Sequence, residues 1–97
     1  MSARYRIRAV EPKNGFVLRL TFADGRSGEI DMAPLLWGQI FEPVRSDVTV
    51  FRAVRVDVDA GTIVWPNGTD YAPDALYDDM DAAGLLEAPG PSKRRAL

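Results

Sequence analysis

The sequence contains no cysteine and no histidine. Without cysteine there is no disulfide, no thiolate metal site and no thiol nucleophile. Without histidine, the commonest general base near neutral pH and the commonest metal ligand are missing. Composition therefore excludes Ser-His-Asp and Cys-His mechanisms, and leaves carboxylates, lysine and tyrosine for any catalysis. Long apolar runs are lacking too: none approaches the ~18 residues that a membrane helix needs. The opening stretch MSARYRIRAV has no apolar core of the kind an export signal carries. These absences point to a non-enzymatic protein with no cofactor, no metal and no membrane segment, with the cytoplasm as its default location.

What is present suits one small domain. The 97 residues are 46% hydrophobic and 27% charged, enough for one modest core. Charge is spread unevenly. Residues 1–55 carry nine Lys/Arg against six Asp/Glu, residues 56–92 carry eight acids and no base, and residues 93–95 are Lys-Arg-Arg. The simplest expectation is complementarity between the two halves and a solvated basic tip.

The stretch Phe16–Met32 organises the chain. Phe16, Leu18, Leu20 and Phe22 alternate with Val17, Arg19 and Thr21, the period of a strand with one buried face. After Asp24-Gly25, Gly28, Ile30 and Met32 resume that period. A two-residue loop, Asp24-Gly25, would set Leu20 against Glu29 and Leu18 against Asp31, mixing apolar and charged groups on one face. A three-residue loop, Ala23-Asp24-Gly25, sets Leu20 against Gly28, Leu18 against Ile30 and Phe16 against Met32. Glycine at the left-handed position suits such a turn with its bulge, so this register is expected.

Upstream, Tyr5, Ile7 and Ala9 alternate with Arg4, Arg6 and Arg8, and Pro12–Gly15 signals a loop. A four-residue loop would pair Ala9 with Leu18 and Ile7 with Leu20. Strands 4–11, 16–23 and 26–31 then form an antiparallel meander with a common apolar side. Asp31 can cap a short helix over residues 32–37, stopped by Gly38, with Trp37 closing one end of the core. Residues 42–45 suit a turn of helix, and residues 46–52 a second one that holds Phe51 inward.

Residues 53–66 read as a second hairpin. With Ala60-Gly61 as a two-residue loop, Val58 faces Ile63 and Val56 faces Trp65, which buries more than the register that brings Thr62 and Val64 to that side. Trp65-Pro66-Asn67-Gly68 is a turn. Pro73 opens a helix whose apolar stripe is Ala75, Leu76, Tyr77 and Met80. Past Gly84, prolines and glycine end it, residues 88–97 are expected to be disordered, and Leu85-Leu86 to be loosely docked or offered to a partner.

Three surfaces are candidates for function. Arg4, Arg6, Arg8 and Arg19 fall on the polar face of the meander, where they can meet an acidic protein surface or phosphate. That face lacks aromatics for base stacking, and the overall pI of about 5.0 disfavours nucleic acid. Tyr71 and Tyr77 can line a small cleft beside Trp65, with Asn67 and Asp70 in the adjoining turn. Asp57, Asp59 and Asp70 can gather near the second hairpin, but their spacing matches no calcium or magnesium loop, so a structural role is expected.

A pattern runs through these segments: Phe22-Ala23-Asp24-Gly25, then Asp31, Phe41, Phe51 and Asp57, then Trp65-Pro66-Asn67-Gly68-Thr69-Asp70, Pro73 and Leu76-Tyr77. It resembles the small bacterial proteins grouped as domain of unknown function 2442, over roughly residues 5–78, most specifically through the WPNG-x-D and P-x-x-LY motifs. The resemblance implies a compact α+β domain and no established activity. Members encoded beside other small genes imply one half of a toxin–antitoxin-like pair.

The fold expected is α+β: a three-strand antiparallel meander, a short helix, a second β-hairpin and a C-terminal short helix. Residues 1–84 form the domain and residues 85–97 a flexible tail. The function expected is a bacterial interaction module acting through a protein partner or a homodimer. The alternative is a nucleic-acid-binding autoregulator using the arginine face.

Overall fold

Alternating apolar side chains build the first sheet, seen in a computed structural model that describes residues 4–89. Strands β1 (Ile7–Pro12), β2 (Val17–Phe22) and β3 (Ser27–Asp31) lie in sequence order and antiparallel. Between β2 and β3, Leu20 faces Gly28 and Leu18 faces Ile30, as the three-residue loop requires. The Phe22 amide donates to Arg26 at 2.9 Å, and the Met32 amide donates to Phe16 at 2.8 Å, at the two ends of the ladder. Gly25 takes φ +89°, which a Cβ would strain.

The register of β1 differs from expectation. Val10 faces Leu20 and Glu11 faces Arg19, while a bulge between Ile7 and Ala9 brings Ile7 opposite Phe22. The bulged Arg8 lets Ile7 and Val10, three residues apart, share the inner side. Val10 rather than Ala9 then packs on the core, which removes more apolar surface from water. Arg19 accordingly sits between Glu11 and Glu29, not opposite Arg8.

After β3 the chain makes a 3-10 turn over Ala33–Leu35, shorter than the helix expected over residues 32–37. Asp31 still serves its start, its carboxylate accepting from the Ala33 amide at 3.0 Å. Met32 and Leu36 are buried, but Trp37 is 74% exposed and does not close the core. Two short helices follow, α1 (Glu42–Ser46) and α2 (Val48–Arg52). The Asp47 side chain caps α2 through the Thr49 amide at 2.9 Å and points Phe51 inward.

Strands β4 (Arg55–Asp57) and β5 (Thr62–Val64) form the second hairpin. Val56 faces Ile63, two positions from the expected register, because the turn takes four residues, 58–61. Asp57 closes that turn, its carboxylate accepting from the amides of Asp59 and Ala60, both at 3.1 Å. Val58 is thereby lifted into the turn and exposed. The hairpin is tied to the sheet by the Ile7 amide donating to Gly61 at 2.8 Å.

Helix α3 (Pro73–Ala82) turns Leu76, Tyr77 and Met80 onto the core. It ends in a paired C-terminal motif. The Leu85 amide donates to Met80 at 2.8 Å and the Gly84 amide to Asp81 at 3.1 Å, with Gly84 at φ +72°. The chain then crosses the inner face of β3 at Gly28 and pairs with its edge, the Glu87 amide donating to Ser27 at 2.7 Å. Residues 85–87 are thus seated on the sheet, with Leu86 half-buried against the core. The disorder expected for residues 88–97 falls, from residue 90 onward, outside the described residues.

Candidate functional site

The exposed face beside the 3-10 turn holds the most distinct surface feature. Its floor begins with the WPNG turn. Trp65 is 1% exposed, and its indole N–H donates to the Phe51 carbonyl at 3.1 Å. The Gly68 amide donates to Trp65 at 2.8 Å and the Trp65 amide to Thr69 at 2.9 Å, so the turn closes on itself. Asn67 belongs to this closure, its side chain accepting from the Thr69 amide at 3.1 Å. The sealed indole supports Phe41 edge-on at 6.1 Å, and Phe41 in turn packs against Tyr71 at 5.6 Å between ring centres.

Above this floor lies a shallow groove of about 370 Å³, with Leu35, Phe41, Tyr71 and Asp70 in its walls. Trp37 and Ile40, 74% and 66% exposed, stand on its rim. Their loop is fixed rather than loose: Arg45 donates to the carbonyls of Leu36 at 3.0 Å and Gly38 at 2.8 Å. The Thr69 hydroxyl donates to the Ile40 carbonyl at 3.3 Å, and the Thr62 hydroxyl donates to the Tyr71 carbonyl. Partial burial pushes the Tyr71 phenol above its ordinary value, and the nearby Asp79 charge adds to this.

The cleft expected from Trp65, Tyr71 and Tyr77 is therefore divided. Tyr71 and Asp70 line the groove, Trp65 lies beneath it, and Asn67 shapes the turn. Tyr77 belongs elsewhere, 4% exposed and edge-on to Phe22 at 5.0 Å. Its hydroxyl donates to the Asp24 carboxylate and accepts from Arg26 at 3.2 Å. Arg26 also pairs with Asp81 at 3.2 Å. The hydrogen bond to Tyr77 and, after desolvation acting the other way, the bond to Asp81 raise the Arg26 pKa. This polar knot ties the β2–β3 turn to α3.

The four arginines do not form one open basic face. Arg6 reaches across to the second hairpin and donates to the carbonyls of Val58 at 2.8 Å and Asp59 at 3.0 Å. Arg19 pairs with Glu87 at 3.1 Å and Glu29 at 3.7 Å, and donates to the Ser27 hydroxyl at 3.2 Å. Arg4 lies 5.5 Å from the centre of the Tyr77 ring, in cation–π range. Arg8 is exposed at the bulge, where it shares a cleft of about 550 Å³ with Arg6, Val56 and Val58.

Among the described residues, no group of three carboxylates gathers to hold a metal ion. Asp57 is engaged by its own turn, and Asp70 faces the groove. Also among the described residues, no helix is long and apolar enough to cross a membrane. The residues that sequence reasoning missed are Trp37 and Ile40. The signal for them was Gly38, which lies between them at φ +89° in an exposed stretch, residues 37–40, bounded by buried Leu36 and half-buried Phe41.

Neither the curated proteins nor the solved structures contain a match to this chain. The family described as Protein of unknown function (DUF2442) matches residues 7–87, well over half of it.

Proposed function

The chain belongs to the DUF2442 family, and we propose that it is a non-catalytic interaction module whose apolar groove receives a partner protein. The observation that carries this reading is the pair Trp37 and Ile40, held in water by a hydrogen-bonded loop above a floor of aromatic side chains. Large apolar residues held outward over a concave floor match the anchor-and-pocket pattern of protein interfaces. Tryptophan is enriched at such positions because it combines area with few rotatable bonds. A composition without His or Cys supports the non-catalytic part of the reading.

We take the module to work in the bacterial cytoplasm, in line with the family resemblance. The partner is the product of a neighbouring small gene, as in a toxin–antitoxin-like pair. This reading ranks above nucleic-acid binding through Arg4, Arg6, Arg8 and Arg19, because Arg6 and Arg19 would have to leave carbonyl and carboxylate partners to engage phosphate.

The test is photocrosslinking in cells with p-benzoylphenylalanine placed at Ile40, and as a control at Val58, exposed in the separate cleft beside Arg6. A discrete protein adduct from position 40 and none from position 58 is expected. A protein that yields no adduct and is a strict monomer by light scattering refutes the reading.

A further inference from the structure

Resting on the groove as an interaction site, we infer that the segment it receives is basic as well as apolar: an apolar anchor flanked by Lys or Arg of a partner protein. The groove is oily at its floor but bordered by acid. Asp70 is part of its wall, and Asp79 lies close enough for its charge to act on Tyr71. Ala72, at the N-cap of α3, also lines it, so the acidic helix begins at the groove's edge. Asp74, Asp78 and Asp79 are all exposed on that helix.

No base lies among them in sequence, since residues 56–92 contain neither Lys nor Arg; across the sheet, Arg55 stands beyond Val64 from Asp70 and leaves the acids of α3 in excess. Arg26 is directed to Asp81, one turn further along. Arg45, which is not part of the groove's lining, has its guanidinium on the carbonyls of Leu36 and Gly38. A segment entering the groove buries apolar side chains against Phe41 and Tyr71 while its flanks run beside carboxylates. An acidic segment meets like charge there, and a purely apolar one leaves the acids without counter-charge. Complementary potentials of this kind select partners and speed encounter more than they add affinity.

The adduct formed from Ile40→p-benzoylphenylalanine identifies the segment when its peptide is mapped by mass spectrometry. A peptide with net positive charge and at least one large apolar residue is expected. The affinity of the purified partner should fall about three- to tenfold in Asp70→Asn/Asp79→Asn at 0.1 M salt, as two rim charge pairs are lost. That difference should shrink by at least half at 0.5 M salt through screening. Trp37→Ala should cost about tenfold or more at both salt concentrations. An acidic or uncharged peptide, or an Asp70→Asn/Asp79→Asn variant that binds as tightly as the parent, overturns the inference while leaving the interaction reading in place. A peptide of this same chain, whether joined within one copy or between two, also overturns it. No adduct at all overturns the inference, and from a strict monomer it removes the interaction reading as well.

Discussion

Replacing Gly28 by alanine tests how the end of the chain is seated. Glycine in a strand interior is ordinarily a weakness, and alanine would stabilise by roughly 0.5–1 kcal/mol if space allowed. Here it does not: a Cβ at position 28 would stand 2.1 Å from the Leu85 carbonyl oxygen and 3.0 Å from its carbon. The obstacle is backbone, so the segment after α3 must lift away rather than rotate a side chain. Lifting it breaks two backbone hydrogen bonds, Leu85 to Met80 and Glu87 to Ser27. Each contributes a net ~0.5–1.5 kcal/mol. The Arg19–Glu87 pair is too exposed to add much. Gly28→Ala should therefore cost about 1–3 kcal/mol, which lowers Tm by roughly 5–15 °C for a domain of this size. Thermal unfolding followed by circular dichroism reads the shift, and amide hydrogen exchange at Glu87 reads its cause. An unchanged or higher Tm, with Glu87 still protected, would refute the reasoning.

Three further outcomes are expected. Arg6→Ala removes two hydrogen bonds to the carbonyls of Val58 and Asp59 and should destabilise by about 1–2 kcal/mol, with faster exchange at Ile7 and Gly61, whose amides hold the hairpin. Trp37→Ala should leave stability within about 0.5 kcal/mol in urea titration, because its side chain is solvated, yet sharply reduce crosslinking from position 40. Tyr71 keeps its proton to higher pH when folded than the ordinary value of 10.0. The unfolded chain therefore releases that proton first, and the contribution present below pH 10 is lost as pH rises through the higher folded value. Tyr71→Phe should show less alkaline destabilisation than the parent in denaturant titrations from pH 9 upward.

Much of the fold was legible because side-chain alternation constrains register wherever one face is buried. Leu18, Leu20 and Ile30 could share a side with one loop length, and they do. The same reasoning found β1 but missed its register, since a bulge at Arg8 changes which residues face inward without leaving a mark in the apolar pattern. It overran the second hairpin because Val58 continues the alternation of Val54 and Val56 into a turn. The carboxylate of Asp57, two residues before Asp59, was the signal that the strand stops there. The site was less legible. Burial is the usual fate of a tryptophan, so Trp37 was assigned to the core. The arginines look like one stripe in sequence, yet Arg6 and Arg19 satisfy distant carbonyls and carboxylates that no local pattern brings into view.

The chain's two tryptophans occupy opposite extremes, one sealed with its indole N–H bonded to Phe51 and one bare at the groove rim. Their emission consequently splits into two channels. Iodide in solution will quench Trp37 and spare Trp65 for as long as the core is intact. Occupancy of the groove can thus be followed by the first while the second reports, in the same cuvette and without any label, whether the domain is still folded.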